Sequence, residues 1–135
     1  MDDPTPNIAP KPKAYRVVFM NGVFDARNPT AMIATPHPHD HTIVRLSSPS
    51  GRGDAHTLVE AAAAVPGFTL RVPRHRLKPL CASRVTDIRV FVPLCKTQSG
   101  LQADLRSPLL INQANHRAMQ LDAFCADDDL CPQKV

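Results

Sequence analysis

Apolar and polar residues alternate along this chain in short runs that are separated by turn-forming residues. A period of two is typical of a half-buried β-strand. In the clearest run, 87–94, every second residue is apolar and falls on one strand face: Ile88, Val90, Val92 and Leu94. The same period predicts strands at 42–47 and 68–72, and weaker patterns predict strands at 14–19, 109–112 and 117–124, whereas residues 31–35 form a short apolar run.

Turn and loop signals separate these strands. Asn21–Gly22 is a hairpin-type turn signal, and the proline- and histidine-rich residues 36–41 are predicted to form a loop. Residues 73–86 are predicted to form a loop or one short helical turn. Four consecutive alanines at 61–64 favour a helix. The preceding Leu58–Val59 could end a strand, so the residues alone leave this segment open.

Short strands with turn chemistry between them, and without regular strand–helix alternation, are typical of an antiparallel barrel or sandwich. The chain has 135 residues, the size of one domain. Its fourteen prolines and five glycines favour short elements that end abruptly. Aromatic residues make up only 4% and tryptophan is absent, so the core must be built from aliphatic side chains.

The two ends of the chain differ in composition from the middle. Residues 1–13 are rich in proline and are predicted to form a disordered arm, and residues 125–135 are predicted to form an acidic flexible tail. Residues 14–124 then form one β domain. No apolar run is long enough to span a bilayer, and the start of the chain lacks the apolar region of a signal peptide. We therefore expect a cytoplasmic protein without membrane association and with reduced cysteines.

Positive charge is concentrated in residues 71–89, although the formal net charge of the whole chain is only +4. This segment contains one acid, Asp87, and six cations: Arg71, Arg74, Arg76, Lys78, Arg84 and Arg89. A solvated basic face and an electrostatic docking surface both fit this pattern. The interleaved aromatic–basic motif of an RNA-binding sheet is absent, so direct nucleic-acid binding is not expected from motifs.

Candidate chemistry is sparse. The spacing of His37, His39 and His41 would place three imidazoles on one face of a regular strand, as a zinc or copper site requires. Pro36 and Pro38 argue against regular strand geometry, so a surface loop without metal is the expected form. No C-x-x-C pair, G-x-S-x-G turn or prominent carboxylate pair occurs. The sequence therefore predicts no enzymatic activity and no cofactor.

The segment 101–112, LQADLRSPLLIN, followed by HRAMQL at 116–121, resembles the end of the flagellar assembly factor (FliW) family. That family carries the phrase TANLxAPIxIN and then a last strand with a glutamine, where Gln120 stands here. Upstream, residues 60–80 follow the family's DPFxFxPDYEFELPDEDLELL without a gap. The resemblance extends over residues 15–122.

This resemblance implies a mostly β fold: a small antiparallel β-barrel-like domain with short connecting helical turns, in which Ala61–Ala64 form an irregular or short helical connector. It implies a non-enzymatic factor that binds flagellin and antagonises a translational repressor, the carbon storage regulator (CsrA). The two partners would exchange. Secretion of flagellin frees the factor, which then sequesters CsrA so that flagellin translation resumes.

The closing phrase and the basic segment supply the candidate partner contacts. Five polar residues form this set: Asp104, Arg106, Asn112, Arg74 and Arg76. The alternative is structural: Pro108, Leu109 and Ile111 pack a core strand, and Asn112 caps a turn.

The chain departs from the family pattern in charge and at its N-terminus. The basic residues RVPRHRLKP at 71–79 stand where the family has the acidic ELPDEDLEL, and the N-terminal region is shortened. A basic surface suits different partners from an acidic one. The alternative function is therefore a divergent small β binding module that docks RNA or an acidic protein through residues 71–89.

Overall fold

The computed structural model describes residues 13–20, 30–51, 53, 55–121 and 132–134. The strands in this part of the chain are β1 (Tyr15–Phe19), β2 (Thr30–His37), β3 (Asp40–Ser47), β4 (His56–Glu60), β5 (Arg71–Pro73), β6 (Ile88–Thr97), β7 (Gly100–Ala103), β8 (Leu109–Asn112), β9 (Arg117–Gln120) and β10 (Pro132–Lys134). The helices are α1 (Ala61–Ala64) and two 3₁₀ helices, Arg74–Leu80 and Val85–Asp87. The connector expected at 61–64 is therefore a single short helix.

Seven strands close into a barrel. They follow one another in the order β4, β3, β2, β1, β9, β8 and β6, and pairing between β6 and β4 closes the ring. Strand directions cannot alternate all the way round a ring of seven, so at least one neighbouring pair must be parallel. That pair is β1 and β9, and the other six pairs are antiparallel. The predicted mostly β, barrel-like fold is confirmed.

The barrel interior is an aliphatic core with two phenylalanines, to which every barrel strand contributes. Its buried members are Val17, Phe19, Met32, Ala34, Val44, Leu46, Leu58, Phe91, Leu109, Ile111 and Ala118. These residues alternate along their strands, because successive side chains of a strand point to opposite sheet faces. The pattern predicted for 42–47 is confirmed, since Val44 and Leu46 lie in this interior.

A second core covers one outer side of the barrel. The segment from α1 to the 3₁₀ helices crosses the outer faces of β4, β6, β8 and β9, and buries a second set of apolar residues: Val59, Ala61, Val72, Leu77, Leu80, Ile88, Val90, Val92, Leu110, Met119 and Leu121. Strand β6 is thus buried on both faces. Its predicted apolar face meets this outer core, and Phe91 on the opposite face fills the interior.

Two local predictions are wrong. The loop expected at 36–41 is only the turn Pro38–His39, because β2 continues to His37 and β3 begins at Asp40. The register shifts between Pro36 and His37, and such an irregularity accommodates a proline in a strand. The strand expected at 68–72 is reduced to Arg71–Pro73, because this segment runs over the outer core and pairs with no barrel strand.

The predicted arm and tail lie largely outside the described residues, as does the turn expected at Asn21–Gly22. Residues 132–134 of the tail are described, and they form β10, which pairs antiparallel with β5. Strand β7, which the sequence patterns did not indicate, forms a hairpin with the far half of β6.

Candidate partner-binding surface

Asn112 ends strand β8 with a buried side chain that is only 1% exposed. Its Nδ2 donates a hydrogen bond to the Leu80 carbonyl at 2.9 Å, and its Oδ1 accepts one from the Ala114 amide at 2.9 Å. The backbone carbonyl of Asn112 also accepts from the His116 amide. Asn112 therefore has the turn-capping geometry of the structural alternative, and it shapes the β8–β9 turn from inside.

The end of the first 3₁₀ helix is fixed to the same turn. The Leu80 carbonyl accepts a second hydrogen bond from Asn115 Nδ2 at 2.9 Å. The Arg117 guanidinium donates to the Pro79 carbonyl at 3.4 Å and contacts the exposed Cys81 Sγ at 3.0 Å. These bonds hold the basic segment in a defined position beside the β8–β9 hairpin.

Asp104 and Arg106 lie at the other end of β8, in the loop that follows β7. The Asp104 carboxylate accepts from the Arg106 amide at 3.0 Å and from its guanidinium at 3.1 Å. These hydrogen bonds from Arg106 hold the pKa of Asp104 below its usual range. The Arg106 side chain remains 80% exposed.

Exposed apolar residues flank this charged pair. Leu101 on β7 is 69% exposed and Leu105 in the loop is 40% exposed. We call Leu101, Asp104, Leu105 and Arg106 the β7–β8 loop surface. The sequence phrase thus contributes residues to two separate ends of β8, and Asn112 lies away from Asp104 and Arg106.

The basic segment does not form one continuous surface. Arg74 is exposed and Arg76 half-buried on the first 3₁₀ helix. Arg74 and Lys78 border a surface groove of about 440 Å³, which is also lined by Leu77, Val85 and Ile88. Arg84 pairs with Asp87 at 3.5 Å.

Arg89 turns away from that groove to the end of the barrel. Its guanidinium donates two hydrogen bonds to the Glu60 carboxylate, at 2.9 and 3.0 Å, and one to the His41 carbonyl at 3.2 Å. Its carbon Cζ also lies 5.0 Å from the centre of the Phe91 ring. The bidentate hydrogen bonds to Glu60 raise the pKa of Arg89. This arrangement was missed by sequence reasoning, because no local pattern links Glu60 and Arg89.

The three histidines occupy three different settings. His37 ends β2, His39 lies in the turn and His41 belongs to β3. His37 Nδ1 accepts a hydrogen bond from the His39 amide at 3.0 Å, and the two rings are 6.0 Å apart. Within the described part of the chain, no group of three or more potential metal ligands converges.

Among the described residues, the helices are all too short or too polar to cross a membrane. A family model described as FliW protein matches residues 7–128. The crystal structure of the flagellar assembly factor FliW superimposes on this chain with a TM-score of 0.70 and 17% sequence identity. The superposition covers 83% of this chain and 79% of that one. A search of curated proteins found no match.

Proposed function

We propose, because the chain belongs to the FliW family, that it is a flagellar assembly factor which binds flagellin and antagonises CsrA by partner exchange. The family model spans the whole barrel, and the barrel has the fold of the crystallised flagellar assembly factor. The family resemblance seen in residues 101–112 and 116–121 is thereby confirmed. Free factor sequesters CsrA, flagellin competes for the factor, and flagellin secretion releases it again.

The exposed apolar residues of the β7–β8 loop surface carry the flagellin half of this proposal. Leu101 and Leu105 are exposed on β7 and in the loop that follows it, and the same loop carries the Arg106 guanidinium, whose position is set by Asp104. Exposed apolar patches mark protein interaction sites, and arginine is enriched among the few interface residues that supply most of the binding free energy.

Capture of purified cognate flagellin tests this half. We expect the wild-type chain to retain flagellin at cytosolic salt, and a Leu101→Ser/Leu105→Ser variant to bind about tenfold more weakly or worse, the loss expected when hot-spot side chains are removed. Val65→Ser is the matched control, because Val65 is also an exposed apolar residue but follows α1. Wild-type chain that fails to retain flagellin would refute flagellin binding, and an equal loss with Val65→Ser would refute this surface.

The CsrA half needs its own experiment, because residues 71–79 are basic where the family pattern is acidic. We expect the chain to bind purified CsrA and to release it when flagellin is added. Surface plasmon resonance with immobilised CsrA measures both steps. An absence of CsrA binding would remove this half and leave the flagellin half in place.

The basic groove favours a second candidate function, a module that docks an acidic protein or RNA. Lys78 is exposed on the rim of the groove, whereas Arg89 is paired with Glu60 and belongs to a different surface. Electrostatic docking predicts affinity that falls steeply with salt and is lost in Arg74→Glu/Arg76→Glu. Affinity that does not change with salt would exclude this candidate.

A further inference from the structure

Strand β5 stands outside the barrel and pairs with β10 alone among the described strands. It is nevertheless firmly anchored. Val72 is 1% exposed in the outer core, and the next residues form the 3₁₀ helix whose end is bonded to the β8–β9 turn. The barrel therefore presents β5 as a fixed, short strand with one edge covered by residues 132–134.

The β5–β10 ladder can form few hydrogen bonds. Its register pairs Pro73 with Pro132, Val72 with Gln133 and Arg71 with Lys134. In an antiparallel ladder, hydrogen bonds fall on alternate pairs, and proline has no amide hydrogen. If the central pair, Val72 and Gln133, is the hydrogen-bonded one, it exchanges two hydrogen bonds. If the outer pairs are hydrogen-bonded instead, Arg71 and Lys134 exchange two bonds and the two prolines donate none. The ladder thus holds no more than two backbone hydrogen bonds.

Charge also works against this pairing. The register sets Lys134 directly opposite Arg71, and residues of like charge at opposite positions destabilise a ladder. The surrounding segment 71–79 contains four cations and no acid. An extended segment with an acidic residue opposite Arg71 would complement both the strand edge and the local charge.

We propose that the edge of β5 is a strand-addition site for an extended, acidic peptide segment of a partner protein, and that residues 132–134 occupy this site in the isolated chain as a weak, exchangeable strand. The partner segment displaces β10, adds its backbone to β5 and sets an acidic side chain opposite Arg71. This inference does not depend on flagellin or CsrA binding.

Hydrogen exchange in the full-length chain tests the weakness of the intramolecular strand. We expect the one β5 amide that is hydrogen-bonded in this ladder, that of Val72 or that of Arg71, to exchange more slowly in Lys134→Glu than in wild type, by about fivefold, because a stronger ladder opens less often. Gln133→Glu is the control, since it adds a negative charge one position away from Arg71, and it should leave exchange nearly unchanged. Equal exchange in wild type and Lys134→Glu would overturn the proposal.

A competing peptide tests whether β10 can be displaced from β5. The probe is a synthetic peptide with the sequence of residues 128–135 carrying Lys134→Glu, kept under reducing conditions. We expect it to shift the NMR signals of Arg71 and Val72 in the wild-type chain, and to bind the Lys134→Glu chain several-fold more weakly, because the improved internal strand competes. Signals that do not move in the wild-type chain, or equal affinity for both chains, would overturn the proposal.

Discussion

The Nδ2 of Asn112 donates a hydrogen bond to the Leu80 carbonyl at 2.9 Å, joining two segments that are 32 residues apart. Asn112→Ala would leave the Ala114 amide without this acceptor inside the turn. We expect a loss of about 1–3 kcal/mol in the free energy of unfolding, measured by urea denaturation. Asn115→Ala is the control, because Asn115 is exposed and water replaces its bond to Leu80. An equal loss in both variants would contradict a special role for the buried amide.

Phe91 lies on the face of β6 that points into the barrel interior, and it is fully buried. Phe91→Ala would leave a cavity that the closed barrel cannot collapse, so we expect a loss of about 3–5 kcal/mol of unfolding free energy. Leu101→Ala removes an exposed side chain and should change stability by less than about 0.5 kcal/mol. Chemical denaturation of both variants measures the free energy of unfolding. A loss for Phe91→Ala as small as that for Leu101→Ala would contradict the position of Phe91 in the barrel interior.

The Arg89–Glu60 pair combines bidentate geometry with partial burial, since the two side chains are 31% and 28% exposed. We expect a double-mutant cycle with Arg89→Met and Glu60→Gln to give a coupling free energy of about 1 kcal/mol. Arg89→Lys should recover only part of this coupling free energy, because a lysine ammonium cannot reproduce the two parallel hydrogen bonds that the guanidinium donates to the Glu60 carboxylate. Full recovery with lysine would show that charge alone matters.

Tyr15 is the only tyrosine of the chain, and tryptophan is absent, so its ionisation can be followed by ultraviolet absorbance. Burial raises the pKa of Tyr15 above 10.0, although the neighbouring Gln113 side chain and the charge of Arg89 oppose the shift. The folded state thus holds the phenolic proton more tightly than the unfolded state. Its contribution to stability is complete below pH 10.0 and is lost as the pH rises through the folded pKa. Titration followed by ultraviolet absorbance should give a higher tyrosine pKa for the folded chain than for the urea-unfolded chain. Tyr15→Phe should abolish the absorbance change.

The Asp104–Arg106 pair predicts an acid-sensitive loop. Hydrogen bonds from the Arg106 side chain and amide lower the pKa of Asp104 from 3.8. The folded pKa is depressed, so the contribution of these bonds is complete above pH 3.8 and is lost as the pH falls through the folded value. NMR titration of the Asp104 carboxyl should give a higher pKa in Arg106→Ala than in wild type. An unchanged pKa would show that Arg106 does not hold this carboxylate.

Most strands could be predicted because their apolar period is local. The alternation in 42–47 and 87–94 identified β3 and β6, since half-buried strands need a period of two. The same pattern could not show that β6 is buried on both faces. Alternation marks which residues share a face, and only the position of the covering segment determines whether the other face meets water.

The candidate site could be predicted only in part. The phrase 101–112 identified the family, yet its polar residues separate in space: Asp104 and Arg106 lie at one end of β8 and the buried Asn112 at the other. The cations of residues 71–89 are also separated in space, because Arg74 and Lys78 border the surface groove whereas Arg89 bonds to Glu60 at the end of the barrel. Spacing along the chain does not specify which end of a strand a side chain occupies.

The sequence by itself determined the family and the strand-rich class, because both depend on residue types at fixed spacing within short segments. The tertiary structure alone decided the barrel closure, the parallel pairing of β1 with β9, the pairing of Glu60 with Arg89 and the addition of β10 to β5. Each of these joins residues that are distant in the chain. Such contacts are set by strand register and by the geometry of a closed sheet, which no local pattern encodes.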